Sequence, residues 1–432
     1  MFVADCLQVN QEGHLCVEQR DVLELAAKYG TPLYVMSETQ IRKNCRLYQD
    51  SLKRFYDGNG LALYASKAFC CKEICRIASD EKMGLDVVSG GELYTAVSAG
   101  FPSERIYFHG NNKTASELVA ALEYGVGTIV VDNLEELEML DRLAAAKNIR
   151  QEIMLRVKPG VDAHTHNFIR TGQIDSKFGF ALETGEAMAA VKKAVSCPHI
   201  MLTGLHCHIG SQIFDTEPFL LTARIMIGFL AQIRKQVGCE LRKLNLGGGF
   251  GIQYTPDQDP PAYEAYMKRV STVIHETCSL LDFPTPFILM EPGRSIVGPA
   301  GITLYTVGAV KEIPGVRTYV SVDGGMTDNP RYALYQSEYQ IMNAGLATQE
   351  KTMRVTLAGH CCESGDLIGE NLPVQHLEKG DIVAVLSTGA YNYSMASHYN
   401  RMPNPPVIMV KADQDRVIVR RETWEDLVRM DV

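Results

Sequence analysis

The sequence lacks three features that would point to particular partners or compartments. It has no excess of basic residues, no long apolar run and no targeting signal. Among 432 residues, 42 Lys and Arg stand against 51 Asp and Glu, which gives a net charge of −9. A chain of this charge has no extended basic face, so nucleic acid is not an expected partner. No run approaches the roughly 18 uninterrupted apolar residues of a membrane span, and residues 1–10 lack the positively charged start of a signal peptide. We therefore expect a cytoplasmic protein that binds neither a membrane nor nucleic acid.

The cysteines offer neither a disulfide framework nor a metal site. Twelve are present, but they form adjacent pairs or lie scattered in apolar runs, and Cys-x-x-Cys is absent. A chain of this length can bury a sufficient core without disulfides, so reduced thiols are expected. The one metal-like run, His206-Cys207-His208, is not followed by further ligands at zinc-finger spacing. We expect no metal.

The middle of the sequence alternates between short apolar segments and longer amphipathic ones. Hydrophobic residues make up 46% of the chain and charged residues 22%, which is typical of a folded globular protein. Leu134–Lys147 and Pro218–Val237 are the clearest helices. Eight strands are predicted: Leu61–Ala65, Leu85–Val88, Ile106–His109, Thr128–Val131, Ile153–Val157, Met201–His208, Lys243–Leu246 and Phe287–Met290. Eight βα units in about 250 residues predict a (β/α)8 TIM-type barrel. A doubly wound sheet is the alternative, but no Gly-x-Gly-x-x-Gly follows the first strand.

The sequence after Pro299 has strand-like segments and few long helices. The predicted strands are Ile302–Lys311, Thr318–Val322, Met353–Ala358, Ile382–Leu386, Val407–Lys411 and Arg416–Arg421. Near the N-terminus, Leu7–Val17 has a hairpin pattern around Glu12-Gly13, and Pro32–Met36 is another strand. We predict an α/β fold with an added all-β domain, sandwich- or barrel-like. The N-terminal strands 1–36 and residues 291–432 would form this β domain, and residues 37–290 the barrel.

Polar residues and glycines recur where each predicted barrel strand ends, which is where barrel proteins carry their sites. Each one alone has an ordinary interpretation. Lys67 could be a solvated lysine or a Schiff-base amine, and Gly247–Gly249 could be a tight turn or a phosphate cradle. His208 could be a core histidine, and Glu291 with Arg294 a surface ion pair. Together they suit pyridoxal phosphate, which needs a lysine, a phosphate cradle, a stacking ring and a carboxylate for its ring nitrogen.

At these residues the chain resembles the barrel-fold pyridoxal-phosphate decarboxylases, the family of diaminopimelate, ornithine and arginine decarboxylases. Nearly the whole length takes part in the resemblance. The motifs that carry it are Tyr64-Ala-Ser-Lys67-Ala, His208-Ile-Gly-Ser211, Gly247-Gly-Gly-Phe-Gly251, Glu291-Pro-Gly-Arg294, Cys362-Glu-Ser-Gly-Asp366 and Gly389-Ala-Tyr391.

The resemblance implies a role for each motif. Lys67, His208 and Cys362 would be catalytic, with Cys362 reaching the site from the partner subunit of a homodimer. Residues implied to bind pyridoxal phosphate are Lys67, Asp86, His208, Ser211, Gly247, Gly248, Gly249, Glu291, Gly293, Arg294 and Tyr391. Residues implied to bind an amino-acid substrate are Arg294, Arg331, Tyr335, Glu363 and Tyr391. Tyr332 departs from the family pattern, in which proline is expected, and His206 is interpreted as structural.

The implied reaction is decarboxylation of meso-diaminopimelate to L-lysine and carbon dioxide, the last step of lysine biosynthesis. An arginine pair suits a substrate with a distal carboxylate, because a guanidinium binds that group bidentately. Another basic-amino-acid decarboxylase or a racemase on the same cofactor is the first alternative. The second is a non-catalytic relative, but such a protein is expected to have lost Lys67 or Cys362, and both are present.

Overall fold

The structure is a computed structural model that describes residues 4–161 and 175–432. Two compact units divide the chain. The sheet unit combines Met1–Lys43, Ile252–Asp259 and Arg294–Val432, and the barrel unit combines Asn44–Gly251 and Pro260–Gly293. The segment 252–259 thus groups with the β-rich part of the chain and not with the barrel residues on either side of it. In the sheet unit, Ile252 and Tyr254 pack in a buried cluster with Tyr305 and Tyr339.

The N-terminal residues form a small antiparallel sheet, then a strand of the larger sheet and a long helix. Leu7 pairs with Val17, as the predicted hairpin requires. The elements are β1 (Leu7–Val9), β2 (Leu15–Val17), β3 (Arg20–Asp21), α1 (Val22–Tyr29), β4 (Leu33–Ser37) and α2 (Glu38–Tyr56). The Asp21 carboxylate accepts a hydrogen bond from the Leu23 N–H at 2.8 Å and so caps the start of α1.

The barrel unit contains a closed ring of eight parallel strands. Its strands are β5 (Gly60–Ala65), β6 (Gly84–Val87), β7 (Ile106–Phe108), β8 (Thr128–Val131), β9 (Gln151–Lys158), β10 (Phe180–Ala181), β11 (Ile200–His206), β12 (Lys243–Asn245) and β13 (Phe287–Met290). The ring runs β5-β6-β7-β8-β9-β11-β12-β13 and returns to β5, while the short β10 pairs with the end of β9. All eight predicted barrel strands are confirmed, and with them the fold class.

Helices follow the barrel strands, as the alternating pattern predicted. They are α3 (Lys72–Asp80), α4 (Gly90–Ser98), α5 (Ala115–Tyr124), α6 (Leu134–Ala146), α7 (Glu186–Ser196), α8 (Glu217–Val237) and α9 (Tyr263–Leu280). The predicted helices at 134–147 and 218–237 correspond to α6 and α8. Across residues 4–161 and 175–432, no helix combines the length and apolar character needed to cross a membrane.

The interior of the barrel is filled with apolar side chains. Leu63, Tyr107, Val130, Met154 and Leu289 come from five different strands and form one buried cluster. A packed interior leaves the carboxyl ends of the strands, and the loops that follow them, as the place where polar side chains can converge.

The sheet unit is built around one long strand. Its remaining elements are α10 (Arg294–Val297), β14 (Gly301–Ile313), β15 (Arg317–Val322), α11 (Arg331–Tyr335), β16 (Ile341–Asn343), β17 (Met353–Ala358), β18 (Leu367–Val374), β19 (Ile382–Val385), β20 (Val407–Lys411), β21 (Gln414–Val419) and α12 (Trp424–Val428). The strand order is β18-β17-β15-β14-β4-β20-β21, and β19 pairs with both β14 and β16. The N-terminal β4 therefore lies within the C-terminal sheet, as predicted.

Two strands of this sheet were not predicted. β18 lies at the edge, where it pairs with β17, and it contains Pro373 and exposed residues in its middle. Edge strands tolerate proline and lack the regular alternation of a half-buried strand, so the sequence pattern is weak there. β16 has only three residues, too few to show a period.

Candidate active site

Lys67 lies in a short 3-10 turn, Ser66–Ala68, directly after β5. The turn is held by Ser66, whose hydroxyl contacts the Asp86 carbonyl at 2.7 Å and the Glu92 carboxylate at 2.6 Å. Ser66 is fully buried, and Lys67 is half-buried beside it. The strand end and its two anchors therefore fix the backbone from which the lysine projects.

Asp86 is a buried carboxylate on the neighbouring strand β6, with only 1% of its surface exposed. Its Oδ1 has no hydrogen-bond partner among the described residues, and His109 Nε2 lies 3.7 Å from it. Burial raises the pKa of Asp86, while the neighbouring His109, Lys67 and other charges act on it more weakly. A buried oxygen of this kind has unused capacity to accept a hydrogen bond from a ligand.

Glu291 follows β13 and is contacted from two other strands and from the residue that follows β7. Its Oε1 accepts a hydrogen bond from Asn245 Nδ2 at 2.7 Å, and its Oε2 is 3.2 Å from His206 Nε2. His109 Nε2 lies 3.0 Å from Oε1. Burial alone would raise the pKa of Glu291, but the two histidines hold it well below its ordinary value. The carboxylate is therefore ionised, although the residue is buried with only 6% of its surface exposed.

His208 stands beside the glycine run that follows β12. The Gly248 N–H donates to His208 Nδ1 at 3.2 Å, so this nitrogen is the unprotonated one. Burial, together with Lys67 and Arg156, lowers the pKa of His208 well below its ordinary value. The ring is therefore neutral, which suits packing against a flat ligand.

The glycine run lies in close contact with the backbone of two neighbouring loops. A Cβ on Gly248 would be 2.2 Å from the Glu291 carbonyl oxygen, and one on Gly249 would be 2.6 Å from the Gly210 carbonyl oxygen. Gly247 and Gly249 also have φ of +72° and +102°, which only glycine adopts without strain. These positions require glycine, and a backbone without side chains is the form that anion cradles take.

Gly293 and Ser211 complete the predicted set in the barrel unit. A Cβ on Gly293 would lie 3.0 Å from the Ala65 carbonyl oxygen, so the chain after Glu291 packs closely on the end of β5. Ser211 is half-buried in the loop after β11. Both lie at the carboxyl ends of barrel strands, as predicted.

In the sheet unit, two buried arginines share one tyrosine ring. The Arg294 guanidinium lies 4.7 Å from the centre of the Tyr391 ring, and that of Arg331 lies 5.5 Å from it. Arg294 also donates to the Tyr254 hydroxyl at 2.6 Å, and Arg331 lies over the Tyr335 ring at 5.3 Å. Stacking of this kind fixes a guanidinium while leaving its edge for an anion.

Arg331 has unused hydrogen-bonding capacity. Its Nη2 contacts the Ser337 hydroxyl at 3.3 Å, but its buried Nε has no partner within the described part of the chain. Arg331 is the first residue of α11, and only 8% of its surface is exposed. A buried guanidinium with an unused N–H is able to donate a hydrogen bond to an anion.

Cys362 and Glu363 lie on an exposed loop of the sheet unit. The buried Asp366 shapes this loop, because its carboxylate accepts hydrogen bonds from the Cys361 N–H at 2.7 Å and the Met326 N–H at 2.6 Å. The Cys362 N–H donates to Asn400 Oδ1 at 2.8 Å. The loop therefore has a defined backbone, while both side chains face solvent.

The predicted residues thus fall into three sets. The barrel unit contains Lys67, Asp86, His208, Ser211, Gly247, Gly248, Gly249, Glu291 and Gly293; the sheet unit contains Arg294, Arg331, Tyr335 and Tyr391 in one cluster and Cys362 and Glu363 on the exposed loop. Asp86 and His208 each lie within electrostatic range of Lys67 and Glu291. The barrel set therefore converges on one place.

The predicted site set left out several residues that contact it. Asn245 and His109 contact Glu291, and Tyr254 binds Arg294. His206, interpreted from sequence as structural, is hydrogen-bonded to Glu291. His109 ends a predicted barrel strand, and that position could have marked it as a site residue. Tyr254 and Arg294 are forty residues apart in sequence, so only the folded structure shows their contact.

His109, His206 and Glu291 also offer three potential metal-ligand atoms within 4.8 Å of one another. Imidazole and carboxylate are common ligands of transition metals. The hydrogen bond between His206 and Glu291, with the His109 ring in contact with the same carboxylate, accounts for the arrangement without a metal. A carboxylate engaged in this way is the partner that a protonated ring nitrogen needs.

Comparison with known proteins identifies the class. The pyridoxal binding domain of the pyridoxal-dependent decarboxylases matches residues 38–298. The chain belongs to this family. Within it, the chain is 48% identical to a diaminopimelate decarboxylase of Bacillus subtilis, over 100% of this chain and 98% of that protein. A diaminopimelate decarboxylase of Bacillus methanolicus is 47% identical, with 98% of each covered.

A solved structure gives the same result. The crystal structure of the diaminopimelate decarboxylase of M. jannaschii in complex with L-lysine has a TM-score of 0.92 and 36% sequence identity. It covers 100% of this chain and 99% of that one. The likeness thus includes both units and not the barrel alone.

Proposed function

We propose that this chain decarboxylates meso-2,6-diaminopimelate to L-lysine and carbon dioxide with pyridoxal phosphate, as the last step of lysine biosynthesis. The observation that carries this proposal is the 48% identity to a diaminopimelate decarboxylase over the whole chain. The match extends over the whole chain, so it covers the sheet unit, in which the arginine cluster lies, as well as the barrel unit.

The barrel residues fit pyridoxal phosphate on chemical grounds. Lys67 supplies an amine, and the Gly247–Gly249 run supplies a backbone cradle in which a Cβ would clash. The buried Asp86 Oδ1 has no hydrogen-bond partner among the residues described. An unpartnered buried oxygen in the same unit as the cradle and the amine indicates capacity to bind a polar ligand.

When bound, the cofactor supplies a ring that accepts the electron pair left by the departing carbon dioxide. Lys67 Nζ would hold the cofactor covalently, and Glu291 would pair with its protonated ring nitrogen. The neutral His208 would stack on the ring. Residues that would hold the phosphate and ring substituents are Asp86, Ser211, Gly247, Gly248, Gly249, Gly293, Arg294 and Tyr391.

The arginine cluster is suited to a second carboxylate on the substrate. Arg331 has a buried N–H without a partner in the described chain, and Arg294 and Tyr391 adjoin it. We assign Arg294, Arg331, Tyr335 and Tyr391 to the distal carboxylate and Glu363 to the distal amine. L-Ornithine lacks that carboxylate, so these arginines would favour diaminopimelate.

We further propose a cytoplasmic homodimer in which Cys362 donates a proton to the substrate carbon in the partner subunit's site. Cys362 is exposed on its own chain, next to Glu363. All twelve cysteines are free thiols, which suits a reducing compartment.

Subunit mixing tests the shared site. Lys67→Ala and Cys362→Ala dimers are each expected to be inactive. Random exchange makes about half the dimers hybrid, each with one complete site, so about a quarter of wild-type activity should return. Cys361→Ala is the matched control and should be active unmixed. If exchange is verified and no activity returns, Cys362 acts within its own chain.

The reaction itself is tested by carbon dioxide release from meso-, LL- and DD-diaminopimelate, L-ornithine, L-lysine and L-arginine. The expected result is release from the meso isomer, with far slower release from the others. Faster release from ornithine would favour another basic-amino-acid decarboxylase. A wild-type protein that binds the cofactor but releases nothing would favour a non-catalytic relative.

A further inference from the structure

Glu291 is held by two histidines for which the proposed reaction has so far no role. We propose that His206 and His109 are positioning residues that fix the Glu291 carboxylate for the cofactor's ring nitrogen. This inference rests on the proposed function, because it concerns the same cofactor site. The two residues are called the imidazole pair below.

The geometry of the imidazole pair restricts the carboxylate from two sides of the barrel. His206 ends β11 and its Nε2 lies 3.2 Å from Glu291 Oε2, whereas His109 follows β7 and its Nε2 lies 3.0 Å from Oε1. The two rings meet edge to face, with centroids 4.7 Å apart and an interplanar angle of 70°. With Asn245 also bonded to Oε1, each carboxylate oxygen is contacted and rotation of the group is opposed.

His206 acts on Glu291 as a neutral donor. Its ring is fully buried, and its Nδ1 has no hydrogen-bond partner in the described residues. Burial lowers the pKa of His206 to about 4, so near neutral pH a single proton sits on the ring. That proton belongs on Nε2, where it is donated to the carboxylate. A neutral donor orients the carboxylate without cancelling the negative charge that a protonated ring nitrogen needs.

His109 contacts Glu291 less specifically than His206 does. Its Nε2 lies between two buried carboxylates, at 3.0 Å from Glu291 and 3.7 Å from Asp86, and it is aligned for a hydrogen bond with neither. Its backbone N–H is bonded to the Val87 carbonyl at 2.8 Å. The ring therefore lies between the two acids and is in close contact with Glu291.

A buried lysine holds the loop that carries His109. Lys113 Nζ donates to the Gly110 and Val130 carbonyl oxygens at 2.9 and 2.7 Å and to the Glu136 carboxylate at 2.7 Å. Gly110 directly follows His109, so these bonds fix the backbone on which the ring depends. The loop that carries His109 is thus fixed by the protein's own contacts, as a positioning role requires.

A merely structural role makes a different prediction from a positioning role. Structural histidines would lower the stability of the apoprotein, and any loss of cofactor affinity would persist whatever residue stands at 291. Positioning histidines act through the carboxylate, so their effect should disappear once the carboxylate is removed. A double-mutant cycle between His206 and Glu291 separates these cases.

The experiment measures the dissociation constant of pyridoxal phosphate from the full-length apoprotein, together with its melting temperature. His206→Leu is expected to weaken binding about tenfold or more, as for loss of a hydrogen bond to a charged group. In the Glu291→Gln background the same change should alter binding by less than about twofold. His109→Leu should behave similarly with a smaller loss.

Two further variants keep the test decisive. His206→Gln retains an N–H donor and should bind the cofactor within about threefold of wild type. If His206→Leu does not fold, His109→Leu takes its place in the cycle with Glu291→Gln. His275→Leu removes an exposed histidine of α9 in the same unit and should change nothing. Equal losses in both backgrounds, or no loss in His206→Leu, would overturn the inference alone. A wild-type apoprotein that binds no pyridoxal phosphate would overturn the proposed function as well.

Discussion

The barrel unit and the sheet unit differ in how completely their functional residues are fixed within one chain. Glu291 in the barrel unit is buried and contacted by Asn245, His206 and His109. Cys362 and Glu363 in the sheet unit have a fixed backbone but exposed side chains. The first arrangement suits a group that must hold one position for every substrate. The second suits groups that are completed by another molecule.

This difference divides the reaction between the units. Barrel residues would serve the steps common to the whole family, since they hold the cofactor. Arg331 of the sheet unit would decide which amino acid is accepted, since it offers a buried donor to a distal carboxylate. Substitutions in the barrel unit should therefore affect all substrates alike, and substitution of Arg331 should affect diaminopimelate selectively.

The largest effect is expected for Lys67→Ala, which removes the amine that would hold the cofactor. Turnover of every substrate should fall by about a thousandfold or more, because no other group can replace a covalent lysine. The control is Lys72→Ala, an exposed lysine at the start of α3, which should keep its activity. Borohydride treatment and peptide mass analysis should place the cofactor on Lys67 in wild type. Finding it on another lysine would refute the assignment.

Arg331→Met tests whether the sheet unit selects the substrate. Removing one partner of a buried charge pair costs about 2–5 kcal/mol, so kcat/KM for diaminopimelate should fall about thirtyfold or more. The rate on L-ornithine should change by no more than about threefold, because that substrate has no group for the guanidinium. Arg354→Met, an exposed arginine of the same unit, is the control. Equal losses on both substrates would mean that Arg331 serves the fold and not selection.

Glu291→Gln tests whether the barrel unit serves a step that is common to all substrates. An amide cannot stabilise a protonated ring nitrogen as a carboxylate does, and a hydrogen bond to a charged group contributes about 1.5–3 kcal/mol. The chemical step should slow by about tenfold to a hundredfold, and by the same factor for diaminopimelate and L-ornithine. Single-turnover kinetics on the cofactor-loaded variant measures this step. An unchanged rate would show that Glu291 does not act on the ring.

The sequence predicted the barrel unit better than the sheet unit for a physical reason. Each barrel strand is a short apolar run followed by a polar loop, so a short stretch of sequence is enough to recognise the strand and its end. The sheet unit depends on long-range pairing: β4 lies beside β14, and the segment 252–259 packs on the tyrosines of the sheet. No local pattern marks those contacts, and β18 and β16 carry little pattern of their own.

The same distinction holds within the candidate site. Lys67, Gly247 and Glu291 lie in short motifs whose residue types are required by the chemistry or by a backbone clash, so the motifs taken together mark these residues in the sequence. The contacts of His206 with Glu291 and of Tyr254 with Arg294 join distant segments, and neither residue type is unusual where it stands. Residues that act through another residue are thus the ones that a sequence leaves unmarked.

The smallest expected effect concerns the attachment of the N-terminal segment within the sheet unit. Glu38, at the start of α2, is 3% exposed and contacts Arg42 at 2.8 Å, Arg416 at 2.6 Å and Lys411 at 3.2 Å. Burial would raise the pKa of Glu38, but hydrogen bonds from these cations outweigh it and lower the pKa from 4.5 to about 2. The contacts therefore favour the ionised, folded form.

Glu38→Gln should accordingly lower the free energy of unfolding by about 1–3 kcal/mol near neutral pH, as loss of charged hydrogen bonds predicts. The folded pKa lies below the unfolded one, so this contribution is complete above pH 4.5 and is lost as the pH falls towards 2. Urea unfolding at several pH values should show the wild-type advantage shrinking over that interval. The control is Asp5→Asn, which removes an exposed ion pair with Lys43 and should cost less than about 1 kcal/mol. Cofactor affinity should be unchanged in both variants, because neither Glu38 nor Asp5 is among the residues proposed to hold the cofactor. A wild-type advantage that stayed constant down to pH 2 would show that Glu38 contributes by packing and not by its charge.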